Sequence, residues 1–307
     1  MRKSGVSLSG LPANAFFRKA TFSATGYAAF RPQYPPKVFS TVLSYHEGPK
    51  SLLLDLGCGH GLISRAFSPS FTRILATDPS AVMVAQARSS TPPDSNITFH
   101  EGSAEDLSDV EDDSLDMVVS GQAAHWFDYS KVWPELKKKV RSGGTLAFWG
   151  YKDNLFVDYP AATKIMSHYC YGPDTMGPCW EQPGRNILRD RYHAIVPPPE
   201  DWQDIERIEY EPSTKGSGCG EGTVLMHKRA KLGEMEGYIR TFSAYHNWMA
   251  QHMNEKAKKD DGEGDIVDEM FEKMVEAELE WKAQGGNWRD FEVENEWGTV
   301  ILLARKK

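Results

Sequence analysis

The segment at residues 52–63 restricts the possible folds of this chain more than any other. Residues 52–54 are three consecutive leucines, as expected of a central parallel strand that is buried on both faces. The sequence DLGCGHG follows at residues 55–61, and its glycines permit a sharp backbone turn. Leu62 and Ile63 then begin a segment whose apolar positions fit one face of a helix. A strand, a glycine-rich turn and a helix in this order predict an open parallel sheet with a ligand bound at the turn.

The alternation of strand and helix patterns continues beyond this segment. Helical patterns begin after Pro35, after Ser80 and near Tyr129. Short apolar runs that predict further strands stand at residues 74–77, 97–99, 117–119 and 145–149. These patterns predict the α/β class, with a doubly wound, seven-stranded Rossmann-like sheet.

The composition changes after Gly150. Residues 151–285 are rich in Pro, Gly, Trp and Tyr, and they show no further alternation of strand and helix patterns. Two amphipathic helices are predicted there, at residues 232–253 and 266–281. The glycine-rich stretch at 211–221 predicts a flexible loop. We interpret the whole segment as a mainly helical cap that is inserted into the fold.

The two ends of the chain complete the predicted domain organisation. The first residues lack periodicity and predict a flexible arm. Near the other end, residues 291–294 and 299–303 flank a Trp-Gly pair and predict a terminal hairpin. The predicted units are the arm at 1–24, one domain at 25–307, its core at 48–150 and 286–307, and the inserted substrate cap at 151–285.

Charge and composition argue against several kinds of partner. The chain has 43 acidic and 35 basic residues, and nothing in its formal net charge of −8 suggests a basic face for nucleic acid. No apolar run is long enough to cross a bilayer. The four cysteines lack the spacing of metal ligands. We therefore expect a cytoplasmic monomer or homodimer that acts on a small molecule and binds no nucleic acid, membrane or metal.

Asp78 supplies a second polar group near the glycine-rich turn. It ends the second predicted strand, where an acidic side chain accepts hydrogen bonds from the two hydroxyls of a ribose. Nicotinamide dinucleotides bind at the same place in such folds, but their turn has the pattern GxGxxG. Residues 57–61 read GxGxG instead. The spacing therefore favours a nucleoside cofactor other than a nicotinamide dinucleotide.

Several segments carry a family resemblance. Residues 54–61, 78–80 and 141–146 are similar to the successive motifs of class I S-adenosylmethionine-dependent methyltransferases. Segments that resemble the fungal trans-aconitate 3-methyltransferases and their relatives stand at residues 124–128, 148–151, 158–160, 180–185 and 238–246. The resemblance implies S-adenosyl-L-methionine as cofactor, S-adenosyl-L-homocysteine as product and a small carboxylic acid as acceptor. A hydroxyl or amine of a fungal secondary metabolite is the alternative acceptor.

The same resemblance implies a set of cofactor-binding residues. Arg31 is expected to bind the methionine carboxylate, because a guanidinium binds a carboxylate through two parallel hydrogen bonds. An exposed surface arginine is the alternative interpretation. The full expected set is Tyr27, Arg31, Asp55, Gly57, Gly59, Gly61, Asp78, Met83, Ser103, Ala104, Glu105, Gln122 and Ala123.

The acceptor site is expected among aromatic side chains of the cap and the segment after the fourth strand. His125 is a candidate catalytic base, or else a hydrogen-bonding residue of the floor. Aromatic residues in such a stretch also commonly fill a core. The expected set is His125, Trp126, Trp149, Tyr151, Trp180, Arg185 and Tyr245.

Arginines of the cap are the expected partners of an anionic acceptor. Arg185 and Arg189 would share one face of a helix, and Arg240 adds a third cation. Ion pairs of these arginines with Glu181 or Asp190 are the alternative.

Overall fold

The structure of the protein, a computed structural model, describes residues 30–307. The predictions for the arm at residues 1–24 and for Tyr27 lie outside the described residues. None of the helices in residues 30–307 combines the length and the apolar character that a bilayer span requires.

One mixed sheet organises the described chain. Its order is β3-β2-β1-β4-β5-β9-β6-β7, and β8 pairs with residues 292–296 of β9. Strands β1 to β5 are parallel, and β9 is antiparallel to each strand that it pairs with. The strands are β1 (Leu52–Leu56), β2 (Arg73–Asp78), β3 (Ile97–Glu101), β4 (Leu115–Gly121), β5 (Val140–Phe156), β6 (Trp202–Glu211), β7 (Glu221–Gly222), β8 (His227–Lys231) and β9 (Glu292–Lys306).

Helices connect the strands and build the cap. Ser80 and Asp128 begin two of them as N-caps, since each side chain accepts a hydrogen bond from a backbone N–H of the first turn. The helices are α1 (Pro36–Tyr45), α2 (Leu62–Phe67), α3 (Ala81–Ser89), α4 (Tyr129–Lys139), α5 (Pro160–Tyr171), α6 (Gly184–Arg189), α7 (Leu232–Ile239), α8 (Ser243–Met249), α9 (Ile266–Ala277) and α10 (Leu279–Lys282).

Apolar clusters cover both faces of the sheet. One cluster joins Leu54 and Phe148 of the sheet to Leu136 of α4. The cluster on the opposite face joins Leu53 to Phe67 of α2 and to residues of α1. A separate cluster holds α5, α7, α8 and α9 together in the cap. The parallel strands therefore end at a common edge of a rigid sheet, which is where such folds bind ligands.

The predicted doubly wound α/β fold is confirmed. Seven strands follow one another as β3-β2-β1-β4-β5-β9-β6, and β7 and β8 are two short additions. The helices predicted after Pro35, after Ser80 and near Tyr129 are present.

The predicted terminal hairpin is wrong, because Glu292–Lys306 is a single strand. Thr299 pairs with Tyr151 and Trp297 pairs with Asn154, so residues 152 and 153 of β5 form a bulge, with one extra residue, opposite Gly298. A Cβ on Gly298 would clash with the side chain of Lys152 in this bulge. The glycine therefore marks a close approach to a bulge rather than a turn.

The inserted segment is less purely helical than predicted. Strand β6 belongs to the central sheet through its pairing with β9, and β8 also pairs with β9. Most side chains of β6 are exposed or half-buried, so it lacks the apolar pattern that predicts a strand. Gly143 and Gly144, expected to precede the fifth strand, lie inside β5.

The loop at 211–221, which the sequence predicts to be flexible, is held by a buried carboxylate. Glu296 of β9 is 1% exposed. Its Oε1 accepts hydrogen bonds from Ser217 Oγ at 3.0 Å and from Gly218 N at 2.6 Å. Tyr210 donates a further hydrogen bond to Oε2.

Candidate cofactor and acceptor site

A cleft of about 560 Å³ opens at the carboxyl ends of β1, β2 and β4. Many of the residues expected to bind the cofactor line it. They are Arg31, Gly57, Gly59, Asp78, Met83, Ser103, Ala104, Glu105, Gln122 and Ala123. Asp55 and Gly61 lie behind the surface of the cleft rather than on it.

The turn after β1 brings backbone close to the cleft. Gly57 and Gly59 have φ of 69° and 54°, in the left-handed region that disfavours other residues. A Cβ on Gly57 would clash with Ala123, whereas a Cβ on Gly59 would meet no atom within 4 Å. Gly57 is thus fixed by packing against the segment after β4, and Gly59 leaves open space at the wall of the cleft.

Asp78 fixes the shape of this wall. Its Oδ2 accepts a hydrogen bond from Gly59 N at 2.9 Å, and its Oδ1 accepts one from Ser80 N at 2.9 Å. The carboxylate therefore links the glycine turn to the start of α3. Each oxygen can accept further hydrogen bonds from a ligand in the cleft.

Asp55 is a fully buried acid directly behind the glycine turn. Its Oδ2 accepts a hydrogen bond from Ser64 Oγ at 2.5 Å. Its Oδ1 has no hydrogen-bond partner among residues 30–307. Burial raises the pKa of this carboxyl to about 7. An unsatisfied buried carboxylate oxygen is costly, so this position favours a ligand that donates a hydrogen bond.

Gln122 closes the floor of the cleft by joining two strands. Its Nε2 donates to Tyr151 O at 2.8 Å, and its Oε1 accepts from Tyr151 N at 2.8 Å. Its backbone N donates to Trp149 O at 2.9 Å. Because both ends of the side-chain amide are engaged, Gln122 shapes the floor and its amide is not free to bind substrate.

Two of the residues expected at the acceptor, Trp126 and Tyr151, line the cleft. Tyr34, which the sequence did not single out, lines it too, and its ring centroid lies 6.1 Å from that of Tyr151. The other five expected residues do not line the cleft: they are His125, Trp149, Trp180, Arg185 and Tyr245.

His125 lies behind Trp126 and is buried. Its Nδ1 is 3.3 Å from the hydroxyl of Tyr192, which donates to Trp149 O at 3.3 Å. Burial, together with the nearby charges of Arg185 and Arg31, lowers the pKa of His125 to about 3. The imidazole is neutral at physiological pH and is a weak base, which argues against the catalytic role considered from the sequence.

Arg185 is buried in an ion-pair cluster of the cap. Its guanidinium pairs with Asp153, a residue of the β5 bulge, rather than with Glu181 or Asp190. Its Nε also donates to the hydroxyl of Tyr171 at 2.9 Å. The guanidinium carbon of Arg185 also lies 3.9 Å from the centroid of the Trp180 ring.

Arg189 and Tyr171 complete this cluster. Arg189 Nε lies 3.5 Å from Asp153 Oδ2, so two guanidiniums share one carboxylate. The hydroxyl of Tyr171 donates to Asp153 Oδ1 at 2.5 Å. Sequence reasoning missed Asp153 and Tyr171 because nothing local marks them as partners of α6.

Arg240 and Tyr245 belong to a different buried network and are not available to an acceptor. Arg240 lies 3.1 Å from Glu236 Oε1 and 3.0 Å from Asp268 Oδ1, and it also pairs with Asp265. The hydroxyl of Tyr245 donates to Asp265 Oδ2 at 2.7 Å. These bonds fasten α7 and α8 to the start of α9.

The four cysteines of the chain are free thiols. Cys58, Cys170 and Cys179 are buried free thiols, and Cys219 is exposed. Among residues 30–307, no three His, Cys, Asp or Glu side chains are arranged to hold a metal ion.

Comparison with known proteins identifies the class of enzyme. The family described as "Methyltransferase domain" matches residues 54–148. A probable S-adenosylmethionine-dependent methyltransferase of Saccharomyces cerevisiae is 27% identical over 97% of this chain and 100% of its own length. A protein of Dictyostelium discoideum, assigned provisionally as a methyltransferase, is 24% identical over 92% of each chain.

A solved structure shares the fold. It is a protein of Anaeromyxobacter dehalogenans, assigned provisionally as a type II methyltransferase, that is 23% identical to this chain. The TM-score is 0.65, and the match covers 90% of this chain and 98% of that one. The chain is therefore an enzyme, a transferase that acts as an S-adenosylmethionine-dependent methyltransferase, as the family resemblance of the sequence implied.

Proposed function

We propose that this enzyme transfers the methyl group of S-adenosylmethionine to a carboxylate of a small-molecule acid. The observation that carries the proposal is the positive charge at the inner end of the cleft. Arg31 lines the cleft, and both Arg31 and Arg185 are close enough to buried His125 to lower its pKa. With Arg31 paired to the methionine carboxylate of the cofactor, the charge of Arg185 remains to attract an anionic acceptor.

The residues of the cleft fit the cofactor. The free Oδ1 of Asp55 suits a hydrogen-bond donor such as the cofactor's ammonium group, and the space beside Gly59 admits a ligand against the backbone. Asp78 would accept hydrogen bonds from the ribose hydroxyls. Met83 would pack on the adenine, and Arg31 would bind the methionine carboxylate. The bound cofactor supplies a methyl group on a positively charged sulfur, which a nucleophile attacks in line.

The weak basicity of the site favours a carboxylate nucleophile. A carboxylic acid is ionised at neutral pH and needs no base, whereas a hydroxyl must lose a proton. His125 is neutral, buried and outside the cleft lining. His60 does line the cleft, but it belongs to the glycine turn, and burial and Arg65 lower its pKa. The protein's task would then be to orient the acid and exclude water.

The charge of the cap supports the same conclusion. Arg185 and Arg189 carry two positive charges and Asp153 one negative charge, which leaves a net charge of +1. The adjacent phenols add no negative charge, since burial raises the pKa of Tyr171 and raises that of Tyr238 to about 12. We propose a trans-aconitate-like acid as the first acceptor to test, in keeping with the family resemblance of the sequence.

The experiment is a methyl-transfer screen with radiolabelled S-adenosylmethionine. Each acid of the panel, beginning with trans-aconitate, is paired with its amide or alcohol analogue. A methyl ester releases labelled methanol in alkali, whereas a methyl ether or methylamine does not. Alkali-labile product from acids alone is the expected result. Alkali-stable product from an alcohol or amine would replace the proposal with the alternative acceptor class.

The control variant for this screen is Asp78→Asn. It keeps the size of the side chain but loses the charge that favours two ribose hydroxyls. Its activity should fall at cofactor concentrations that saturate the wild-type enzyme. Activity that is unchanged would assign the observed methylation to a contaminant.

A further inference from the structure

Gly237 lies within α7, where glycine is less favourable than alanine because it loses more conformational freedom. A close approach of another segment accounts for this glycine. A Cβ at position 237 would lie 2.5 Å from Cε1 and 2.6 Å from Cδ1 of Phe30, which is too close for either ring atom to keep its place. The ring of Phe30 therefore packs directly on the backbone of α7.

The next residue, Arg31, is held by the same part of the cap, residues 237–242, which we call the α7–α8 corner. Arg31 Nη2 donates a hydrogen bond to Thr241 O at 3.2 Å. Its guanidinium carbon lies 5.6 Å from the ring centroid of Tyr238 and 5.6 Å from that of Phe242. A guanidinium within about 6 Å of an aromatic ring is attracted to it. The α7–α8 corner therefore contacts Arg31 through a main-chain carbonyl and two rings.

Hydrogen bonds fix the α7–α8 corner itself. Trp297 of β9, which is 1% exposed, donates from Nε1 to the hydroxyl of Tyr238 at 3.2 Å. Within the corner, Thr241 donates to Tyr238 O from its Oγ1 at 2.6 Å and from its backbone N at 2.9 Å. The corner is thus fastened to the central sheet, and it supports Arg31 at a defined place relative to that sheet.

Arg31 is the link between this support and the cleft. It lines the cleft, whereas neither Phe30 nor any residue of the α7–α8 corner does. We propose that Gly237 is a positioning residue for the cofactor: by leaving room for the ring of Phe30, it holds Arg31 where the methionine carboxylate binds. This inference rests on the proposed contact of Arg31 with that carboxylate. Because two parallel hydrogen bonds require a specific geometry, a shift of residues 30–31 should weaken the contact.

The central variant is Gly237→Ala, whose added methyl group should displace the ring of Phe30. Alanine favours a helix more than glycine does, so α7 should keep its structure. Calorimetry compares S-adenosylhomocysteine with S-adenosyl-3-thiopropylamine, an analogue that lacks only the carboxylate. Gly237→Ala should weaken the binding of S-adenosylhomocysteine by about tenfold, which corresponds to one lost hydrogen bond to a charged group, and leave that of the analogue unchanged.

The matched control is Gly233→Ala, which adds the same methyl group one turn earlier on α7. Its nearest neighbours there are atoms of Arg289, the closest at 3.3 Å, and not atoms of Phe30. This variant should bind both ligands like the wild-type enzyme.

A double-mutant cycle tests whether the effect passes through the ring of Phe30. Phe30 is 43% exposed, so Phe30→Ala should fold, and it too should weaken S-adenosylhomocysteine selectively. Phe30→Ala/Gly237→Ala should bind no more weakly than Phe30→Ala, because the added methyl group has no ring to displace. Additive losses would overturn the inference, as would an unchanged affinity for S-adenosylhomocysteine in Gly237→Ala or an equal loss for both ligands.

Arg31→Gln separates this inference from the contact on which it rests. If Arg31→Gln weakens S-adenosylhomocysteine but not the analogue, the carboxylate contact stands, and the results for Gly237 decide the inference alone. If Arg31→Gln affects both ligands equally or neither, the carboxylate contact fails and the inference fails with it. No acceptor is present in these measurements, so their outcome does not depend on which acceptor the methyl-transfer screen finds.

Discussion

The charge balance around Arg185 allows two opposite tests of the carboxylate proposal. Arg185, Arg189 and Asp153 together carry a net charge of +1. Arg185→Gln leaves this cluster neutral, and Asp153→Asn leaves it with +2. Both substitutions break the same ion pair, but they change the potential at the acceptor in opposite directions. A purely structural effect would have the same sign in both variants.

The size of the effect follows from Coulomb's law. A unit charge about 7 Å from a carboxylate contributes roughly 2 kcal/mol at an effective dielectric of about 20. Arg185→Gln should therefore raise the KM of an anionic acceptor by about 10- to 50-fold. Asp153 is partly exposed, and solvent screens its charge. Asp153→Asn should lower KM by a smaller factor, roughly 3- to 10-fold.

The assay combines acceptor kinetics with a direct electrostatic readout. KM is measured for the best acid of the screen, and the affinity for S-adenosylhomocysteine is measured by calorimetry and should not change. NMR of ¹³C-labelled histidine follows the pKa of His125, which should rise in Arg185→Gln because a nearby positive charge is lost. The double variant Arg185→Gln/Asp153→Asn again carries +1, so its KM should return towards the wild-type value.

Two results would refute this reasoning. If both single variants raised KM, the ion pair would serve structure and not acceptor binding. If the double variant were no better than Arg185→Gln, the net charge of the cluster would not control KM. Either result would leave the cofactor site untouched, since none of the three residues lines the cleft.

Three further predictions concern the cofactor side and the pH dependence. Asp78→Ala should weaken S-adenosylhomocysteine binding by roughly 1–3 kcal/mol in calorimetry, and unchanged affinity in a folded variant would remove Asp78 from the site. His125→Gln should retain most of kcat, and kcat should be nearly flat from about pH 6.5 to 8.5, because no histidine has to lose a proton. A rate that rises tenfold per pH unit below 7 and is lost in His125→Gln would indicate a hydroxyl acceptor. The pKa of Asp55 is about 7 in the folded state, above its value in the unfolded state. The folded state therefore binds the proton of Asp55 more tightly, and the stability that this gives is complete below about pH 4 and is lost as pH rises to 7. Asp55→Asn should therefore raise the unfolding free energy of cofactor-free enzyme at pH 8, by at most about 4 kcal/mol in urea denaturation, and an unchanged value would mean that Asp55 is not destabilised by burial.

The cofactor side could be predicted from the sequence because its parts are local. The strand, the turn and the helix follow one another within residues 52–67, and the glycines report directly on backbone conformation. The pairing of Leu56 with Thr77 then brings the turn beside the end of β2. As a result, Gly57 N and Cys58 N both donate to Thr77 O, at 2.8 and 2.9 Å. A pattern of strands was sufficient to expect this neighbourhood.

The acceptor side could not be predicted in the same way because its contacts join distant segments. Asp153 reaches Arg185 only because β5 bulges opposite Gly298, which lies 145 positions further along the chain. From the sequence, Gly298 was predicted to lie in a turn. A glycine that allows close approach of another chain segment cannot be distinguished by sequence from a glycine that turns the chain. The type of residue also does not distinguish Arg185, which pairs with Asp153, from Arg240, which pairs with three carboxylates.

Helix α6 explains why the two halves of the site can be perturbed separately. Its first residue, Gly184, packs its backbone against the ring of Trp126, where a Cβ would clash, so the backbone of α6 supports the wall of the cleft. The next residue, Arg185, directs its side chain to Asp153 and Trp180 instead. A substitution at 185 therefore changes the charge of the cap while the contact at Gly184 stays in place. This separation is what makes an altered KM with unaltered cofactor affinity the expected signature of Arg185, and it follows from one residue step along a helix.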